Sequence, residues 1–215
     1  MDMDLKSDCL NGIQYKYGSE WTRELESKQH WEFYWHQQKI MEGIINAEHG
    51  EILEIGVGSG FTANYCRSKG FKVTTLDIDA DKHPDIIGNA VSYEFPYKYD
   101  YLMAFEVFEH MPYTEFEKIV FKIPKFVRRY AFISLPRNER VLLSVDLKLP
   151  KIPSISFEWR ILKGRIATEA HHWEIDYKEH TTEKVERLFL NAGLKIIKKM
   201  KCNYIKFYAL EINKR

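Results

Sequence analysis

The sequence predicts a doubly wound α/β domain, and three observations carry that reading. Short β-branched runs alternate with helical segments from residue 51 onward. A glycine-rich turn, Gly56-Val57-Gly58-Ser59-Gly60, joins the first such strand to the first such helix. The chain then closes on two strands joined by a short polar turn. Alternation of this kind favours parallel strands with helices on both faces, because parallel neighbours need a crossover. The last two strands lack room for a crossover, so they pair antiparallel and the sheet finishes in an antiparallel edge strand.

Each element has its own local reason. Glu51 to Ile55 is a short apolar run fit for a buried strand. Phe61 to Gly70 reads as a helix, with Gly70 just past its end. Phe71 to Ile78 is a second strand, ending in Asp77-Ile78-Asp79. Tyr99 to Phe105 is another. Glu115 to about Ile123 is helical, and Pro124 should end or kink it. Tyr130 to Leu135 is a strand stopped by Pro136. Thr181 or Thr182 caps a helix running to Asn191, with Glu183 in its first turn and Gly193 beyond its end. Leu194 to Lys199 and Ile205 to Ile212 are the closing pair.

Two segments fall outside this scheme. Residues 1–49 are rich in aromatics, with apolar positions at helical spacing between Glu20 and Ile45. They read as a helical cap segment preceding the α/β domain of residues 50–215. Its aromatics either pack on the core or form a lid over a ligand, and Trp31 and Trp35 are the candidate lid residues. Residues 137–176 form an insertion on the substrate side, holding Pro150, Pro153, Trp159 and the run His171-His172-Trp173.

Composition narrows the function. The 215 residues are 45% hydrophobic and 29% charged, a globular balance. Thirty-two basic residues against 31 acidic ones give a net charge of +1, which argues against a whole-protein grip on nucleic acid. Mean hydropathy is −0.42, and no window is apolar enough to span a bilayer. The acidic start, MDMDLKSDCL, is not a secretory leader. Cys9, Cys66 and Cys202 are sparse and show no metal spacing, as expected of a reduced cytoplasmic chain.

The glycine turn is the sharpest signal. Bare backbone between a strand and a helix can lie against a ligand. The dinucleotide fingerprint G-x-G-x-x-G needs a glycine where this chain has Phe61, so the pattern is G-x-G-x-G preceded by Glu54. Asp77 follows at the end of the next strand, where a carboxylate accepts from a ribose diol. Further on, Glu106, Glu109 and His110 share one face if the chain turns helically there. Two carboxylates and an imidazole suit either a divalent cation or general-base work.

Glu54 to Gly60, Leu76-Asp77-Ile78-Asp79 and Phe105-Glu106-Val107-Phe108-Glu109-His110 together resemble the class I S-adenosylmethionine-dependent methyltransferases. The resemblance spans about residues 50–212. It implies a Rossmann-like seven-stranded sheet with a reversed last strand. It also implies that Glu54, Gly56, Gly58 and Gly60 lie against the methionine part of the cofactor, with Asp77 on the ribose and Ile78, Ala90 and Glu106 nearby. Asn89 stands where the family often has an aspartate for the adenine amino group, and its amide oxygen can still accept. The Glu-x-x-Glu-His arrangement resembles that of metal-assisted O-methyltransferases. A cation held by Glu106, Glu109, His110 and His171 or His172 would lower the pKa of a substrate hydroxyl.

The expected activity is therefore O-methylation of a small polar metabolite, or of a glycan or lipid precursor. His110 would be the base, assisted by Glu106 and Glu109, and Trp31, Trp35, His171, His172 and Trp173 would contact the acceptor. The chain would be a cytoplasmic monomer or homodimer. Two alternatives stand beside this reading. One is a metal-assisted RNA 2′-O-methyltransferase, using Lys122, Lys125, Arg128 and Arg129 or the group Lys195, Lys198, Lys199 and Lys201. The other is a cofactor-binding relative without turnover.

Overall fold

The computed structural model describes residues 6–10, 13–17, 27–46, 48, 50–147 and 155–213. In chain order the elements are β1 (Lys6–Leu10), β2 (Ile13–Tyr17), α1 (Lys28–Met41), β3 (Glu51–Ile55), α2 (Phe61–Ser68), β4 (Lys72–Asp77), β5 (Ile86–Ile87) and β6 (Tyr99–Phe105). There follow α3 (Tyr113–Phe126), β7 (Val127–Pro136), β8 (Glu139–Leu147), β9 (Ile155–Leu162), α4 (Thr182–Asn191), β10 (Leu194–Cys202) and β11 (Ile205–Ile212).

Seven strands form one sheet in the order β10-β11-β7-β6-β3-β4-β5. The five from β7 to β5 are parallel neighbours, and β11 runs antiparallel to both β7 and β10. The reversed last strand is as the sequence predicts, but its place is not. β11 is inserted beside β7, and β10 takes the edge. Burial explains the choice. β11 is apolar on both faces and nearly all buried, whereas β10 alternates buried with exposed lysines, which suits an edge.

Two apolar layers sandwich the sheet. Ile40 and Met41 of α1 and Ala63 and Cys66 of α2 pack on one face. Phe116, Ile119, Val120 and Ile123 of α3 and Val185, Leu188 and Phe189 of α4 pack on the other. Of the two predicted caps it is Thr181 that serves, and α1 has a cap of its own in Ser27. Ser27 Oγ accepts from the His30 amide, and Thr181 Oγ1 accepts from the Lys184 amide. Pro124 neither ends nor breaks α3, which continues to Phe126. It sits in the last turn, and its carbonyl accepts from Lys98 Nζ at 2.9 Å.

Two further corrections concern the segments outside the α/β scheme. Lys6–Leu10 and Ile13–Tyr17 are strands rather than helix, paired from Lys6↔Tyr17 to Leu10↔Ile13. Asn11-Gly12, a favoured hairpin pair, separates them in sequence. The helix in this part of the chain is α1, and residues 18–26 lie outside the described residues. The insertion after β7 contains a second hairpin, β8–β9, separate from the main sheet.

Candidate active site

A cavity of about 410 Å³ opens where parallel strands end, reached by Ile55 of β3, Asp77 of β4, Phe105 of β6 and Ser134 of β7. Ligands of open α/β sheets bind at this edge. Its floor is the glycine turn. Gly56, Gly58 and Gly60 all have positive φ, at 79°, 56° and 74°. A Cβ on Gly56 would stand 2.4 Å from Val107 Cγ2, so glycine is required there by both conformation and space.

Asp77 ties the turn to the second strand. Its Oδ2 accepts from the Val57 amide at 2.8 Å and its Oδ1 from the Asp79 amide at 2.9 Å. Lys82 Nζ lies 3.5 Å from Oδ2. The side chain is buried yet lines the cavity, and each oxygen has a second lone pair to offer. Glu54 lies behind the turn. It is buried, its Oε2 meets no hydrogen-bond partner, and burial pushes its carboxyl up to about 8. Ile78, Gly88 and Ala90 continue the wall. Asn89 does not reach the cavity, because its Oδ1 is taken by the Val91 amide at 2.9 Å.

The acidic-histidine segment turns differently from the predicted helix face. Glu106 precedes a 3₁₀ turn, Phe108–His110, and is itself left-handed at φ 54°. Ser134 Oγ holds it there, accepting from its amide and donating to its Oε1, both at 2.9 Å. Burial raises the Glu106 carboxyl to about 8. Glu109 is fully buried, and no side chain donates to either of its oxygens. Burial and then the nearby Glu106 charge push its pKa well above the usual carboxylate range.

Both candidate histidines are anchored through one ring nitrogen. His110 Nδ1 lies 3.0 Å from the Ala170 carbonyl, and His171 Nδ1 lies 3.0 Å from Glu174 Oε1. A carbonyl or carboxylate can only accept, so each ring donates from Nδ1, and in the neutral ring the lone pair is then on Nε2. The rings meet edge to face, their centroids 5.2 Å apart, and both line the cavity. Glu174 is buried and also receives Ala167 N and Asn138 Nδ2. Burial raises its pKa, but these donors outweigh burial and hold it low. Glu109, His110 and His171 each bring a ligand atom within 4.8 Å of the others; Glu106 is not in that group.

The expected acceptor contacts need correcting. Trp173 is core, its Nε1 bonded to the Phe108 carbonyl and its ring against Tyr113 and Phe116. His172 donates its amide to the Glu109 carbonyl and does not line the cavity. Trp31 and Trp35 lie on the neighbouring face of α1, half exposed, on a separate surface groove with Phe61 and Tyr65. The helix roofs the cavity with the stripe His30, Phe33, Tyr34 and Gln37. Tyr34 is fixed by Ser59 Oγ at 2.9 Å, and Gln37 by Thr62. Ser134, Glu174 and Tyr204, on the far wall or behind it, carry no motif that sequence reading could single out.

Residues 34–199 match a protein-family model described as a methyltransferase domain. The chain belongs to that family. It is an S-adenosylmethionine-dependent methyltransferase. No curated protein matches it in sequence. Solved structures match its fold at low identity. The N-methyltransferase NodS from Bradyrhizobium japonicum WM9, bound to S-adenosylhomocysteine, aligns with a TM-score of 0.63 at 10% identity, over 89% of this chain and 91% of that one. Magnesium protoporphyrin IX methyltransferase from Synechocystis PCC 6803, with bound S-adenosylmethionine, gives 0.59 at 12%, over 90% and 89%. The glycopeptide N-methyltransferase MtfA gives 0.57 at 11%, over 85% and 89%.

The methyltransferase's own residues fit the cofactor. The turn exposes backbone where a side chain would clash, Asp77 presents a buried carboxylate to the cavity, and Gly88 and Ala90 leave its far wall unobstructed. Six of the eight basic residues considered for RNA are engaged within the chain. Lys198 bonds the Lys39 carbonyl, Lys199 pairs with Glu186, Lys195 with Glu211 and Lys201 with Glu139. Lys122 and Arg128 are likewise held, by Glu94 and Asp100.

Proposed function

We propose that this methyltransferase methylates a hydroxyl of a small polar acceptor, with His110 and His171 as the basic groups at the acceptor end of the cavity. S-adenosylmethionine, when bound, supplies a methyl group on a sulfonium that leaves as a neutral thioether. The protein's part is then positioning, water exclusion and removal of one proton. Gly56, Gly58, Gly60 and Asp77 hold the cofactor end, and the α1 stripe from His30 to Gln37 roofs the cavity. An amine acceptor needs no base once it is neutral, whereas a hydroxyl gains from one. Two imidazoles lining the cavity, each anchored by Nδ1 to an acceptor, are the observation that carries the O-methylation reading. Glu174 is that acceptor for His171.

A divalent cation is the second reading, favoured by the buried Glu109 carboxylate lying within 4.8 Å of His110 and His171. Such an ion would be held by Glu109, His110 and His171, and it would acidify a bound hydroxyl. One screen tests both. Hydroxyl and amine acceptors are assayed for S-adenosylhomocysteine release with and without EDTA, using the parent, His110→Ala and His171→Ala. We expect turnover on a hydroxyl acceptor, lowered roughly 10²-fold in each variant, with the acid limb of the pH profile lost. Loss of the parent's activity in EDTA would place a cation at Glu109. Turnover confined to amines, with both variants fully active, would overturn the proposal.

A further inference from the structure

The strand order gives the cavity two ends. Over β3 and β4 stand the glycine turn, Asp77 and Ile78, the end proposed for the cofactor. Over β6, β7 and β11 stand Phe105, Ser134 and Phe207, direct register partners across the three strands. Cross-strand partners share a face, so all three point the same way, into the cavity they line. Phe105 and Phe207 lie 6.2 Å apart between ring centroids. Phe33, on the α1 stripe above them, meets the ring of Tyr204 edge to face at 6.5 Å. Aromatic rings therefore wall this second end from both the sheet and the helix.

Its polar groups are largely committed. Ser134 is turned to Glu106, Tyr34 to Ser59 and Gln37 to Thr62. A polyol laid against the rings would leave several of its hydroxyls without partners, a cost that a flat apolar ring avoids. Aromatic walls favour an aromatic occupant, ring against ring. Charge narrows the class further. Among the described residues the single lysine or arginine on the cavity wall is Lys82, held against Asp77 at the other end. A carboxylate or phosphate on the acceptor would find no fixed cation beside it. Nor is a carboxylate set out for an ammonium. Glu106 is engaged by Ser134, Glu174 by His171, Asn138 and Ala167, and Glu109 is buried and does not line the cavity.

We propose that the acceptor is an uncharged phenol, its ring lying among Phe33, Phe105, Tyr204 and Phe207 and its hydroxyl at the two imidazoles. This acceptor class rests on the hydroxyl reading above and narrows it. A phenol ionises at about 10, as tyrosine does, whereas an aliphatic alcohol, like water, holds its proton to roughly 16. An imidazole therefore takes the phenol's proton far more readily. The ring oxygen forms its bond to the methyl carbon as the C–S bond breaks towards sulfur, and the proton passes to an imidazole.

Calorimetric titration of the protein saturated with S-adenosylhomocysteine tests this without turnover. The ligands are 4-hydroxybenzamide, its saturated counterpart 4-hydroxycyclohexanecarboxamide, anionic 4-hydroxybenzoate, cationic 4-(aminomethyl)phenol and methyl glucoside. The benzamide should bind at least about tenfold more tightly than each of the others. Phe33→Leu and Tyr204→Leu keep an apolar side chain without a ring, and each should weaken benzamide binding by about tenfold. Unchanged S-adenosylhomocysteine affinity in both variants shows that the fold and cofactor end are intact. Equal binding of the saturated, charged or sugar ligand, no binding of the benzamide, or unchanged benzamide binding in both variants would overturn the proposal. The two readings fail differently. Ring-selective binding with turnover confined to amines marks failure of the hydroxyl reading, whereas hydroxyl turnover without ring selectivity marks failure of the phenol alone.

Discussion

Trp173 shows how a residue can be visible in a sequence and still be misread. Beside two histidines in an insertion it reads as an acceptor contact; in the fold it fills the space between α3 and the turn Phe108–His110. Trp173→Ala should cost about 3–5 kcal/mol in chemical denaturation, whereas Trp31→Ala, half exposed, should cost under ~1 kcal/mol. Comparable losses would return Trp31 to the core. Some of the residues singled out in the sequence do reach the cavity, and they stand where the backbone is fixed by the turn or a strand end. Gly56, Gly58 and Asp77 all line the cavity. Glu174 stayed hidden because its role depends on Asn138, Ala167 and His171 converging on it, and no spacing encodes that convergence.

Among elements, the parallel strands and their crossover helices were legible because each has an apolar run or periodicity of its own. Strand order was not. The burial difference between β10 and β11 that puts β10 at the edge is present in the sequence, but it takes meaning only once β7 is there to pair with β11. The β1–β2 pair was not read from the sequence, because the aromatics of this segment suggested helix. The β3–α2 turn is the element most closely specified, since φ and Val107 both exclude a side chain at Gly56. Gly56→Ala should therefore destabilise the protein by about 1–3 kcal/mol and weaken cofactor binding as the turn shifts. Gly43→Ala is the control: it shares a positive φ but meets nothing within 4 Å, so it should lose stability alone.

Across the whole molecule, three buried carboxyls set the response to pH. Burial raises Glu54 and Glu106 to about 8 and Glu109 well above the usual range. A carboxyl raised in the folded state binds its proton there after the unfolded chain has lost it. Its stabilisation is complete below about 4.5 and declines as pH rises towards the folded value. His180, whose pKa burial lowers, opposes this over part of the range. Without ligand, Tm should fall between about pH 5 and pH 8. Glu109→Gln should flatten that slope and stabilise the protein by about 1–3 kcal/mol near pH 7. An unchanged slope would mean that Glu109 is ionised in the folded protein, as a bound cation would require.

The glycine turn and Asp77 are the proposed seat of the cofactor. Calorimetric titration with S-adenosylhomocysteine, comparing the parent with Asp77→Ala and using NADH as the alternative ligand, tests that seat directly. The parent should bind S-adenosylhomocysteine and not NADH, and the variant should bind it about 1–3 kcal/mol more weakly. Equal affinity in parent and variant, or binding of NADH in its place, would contradict it.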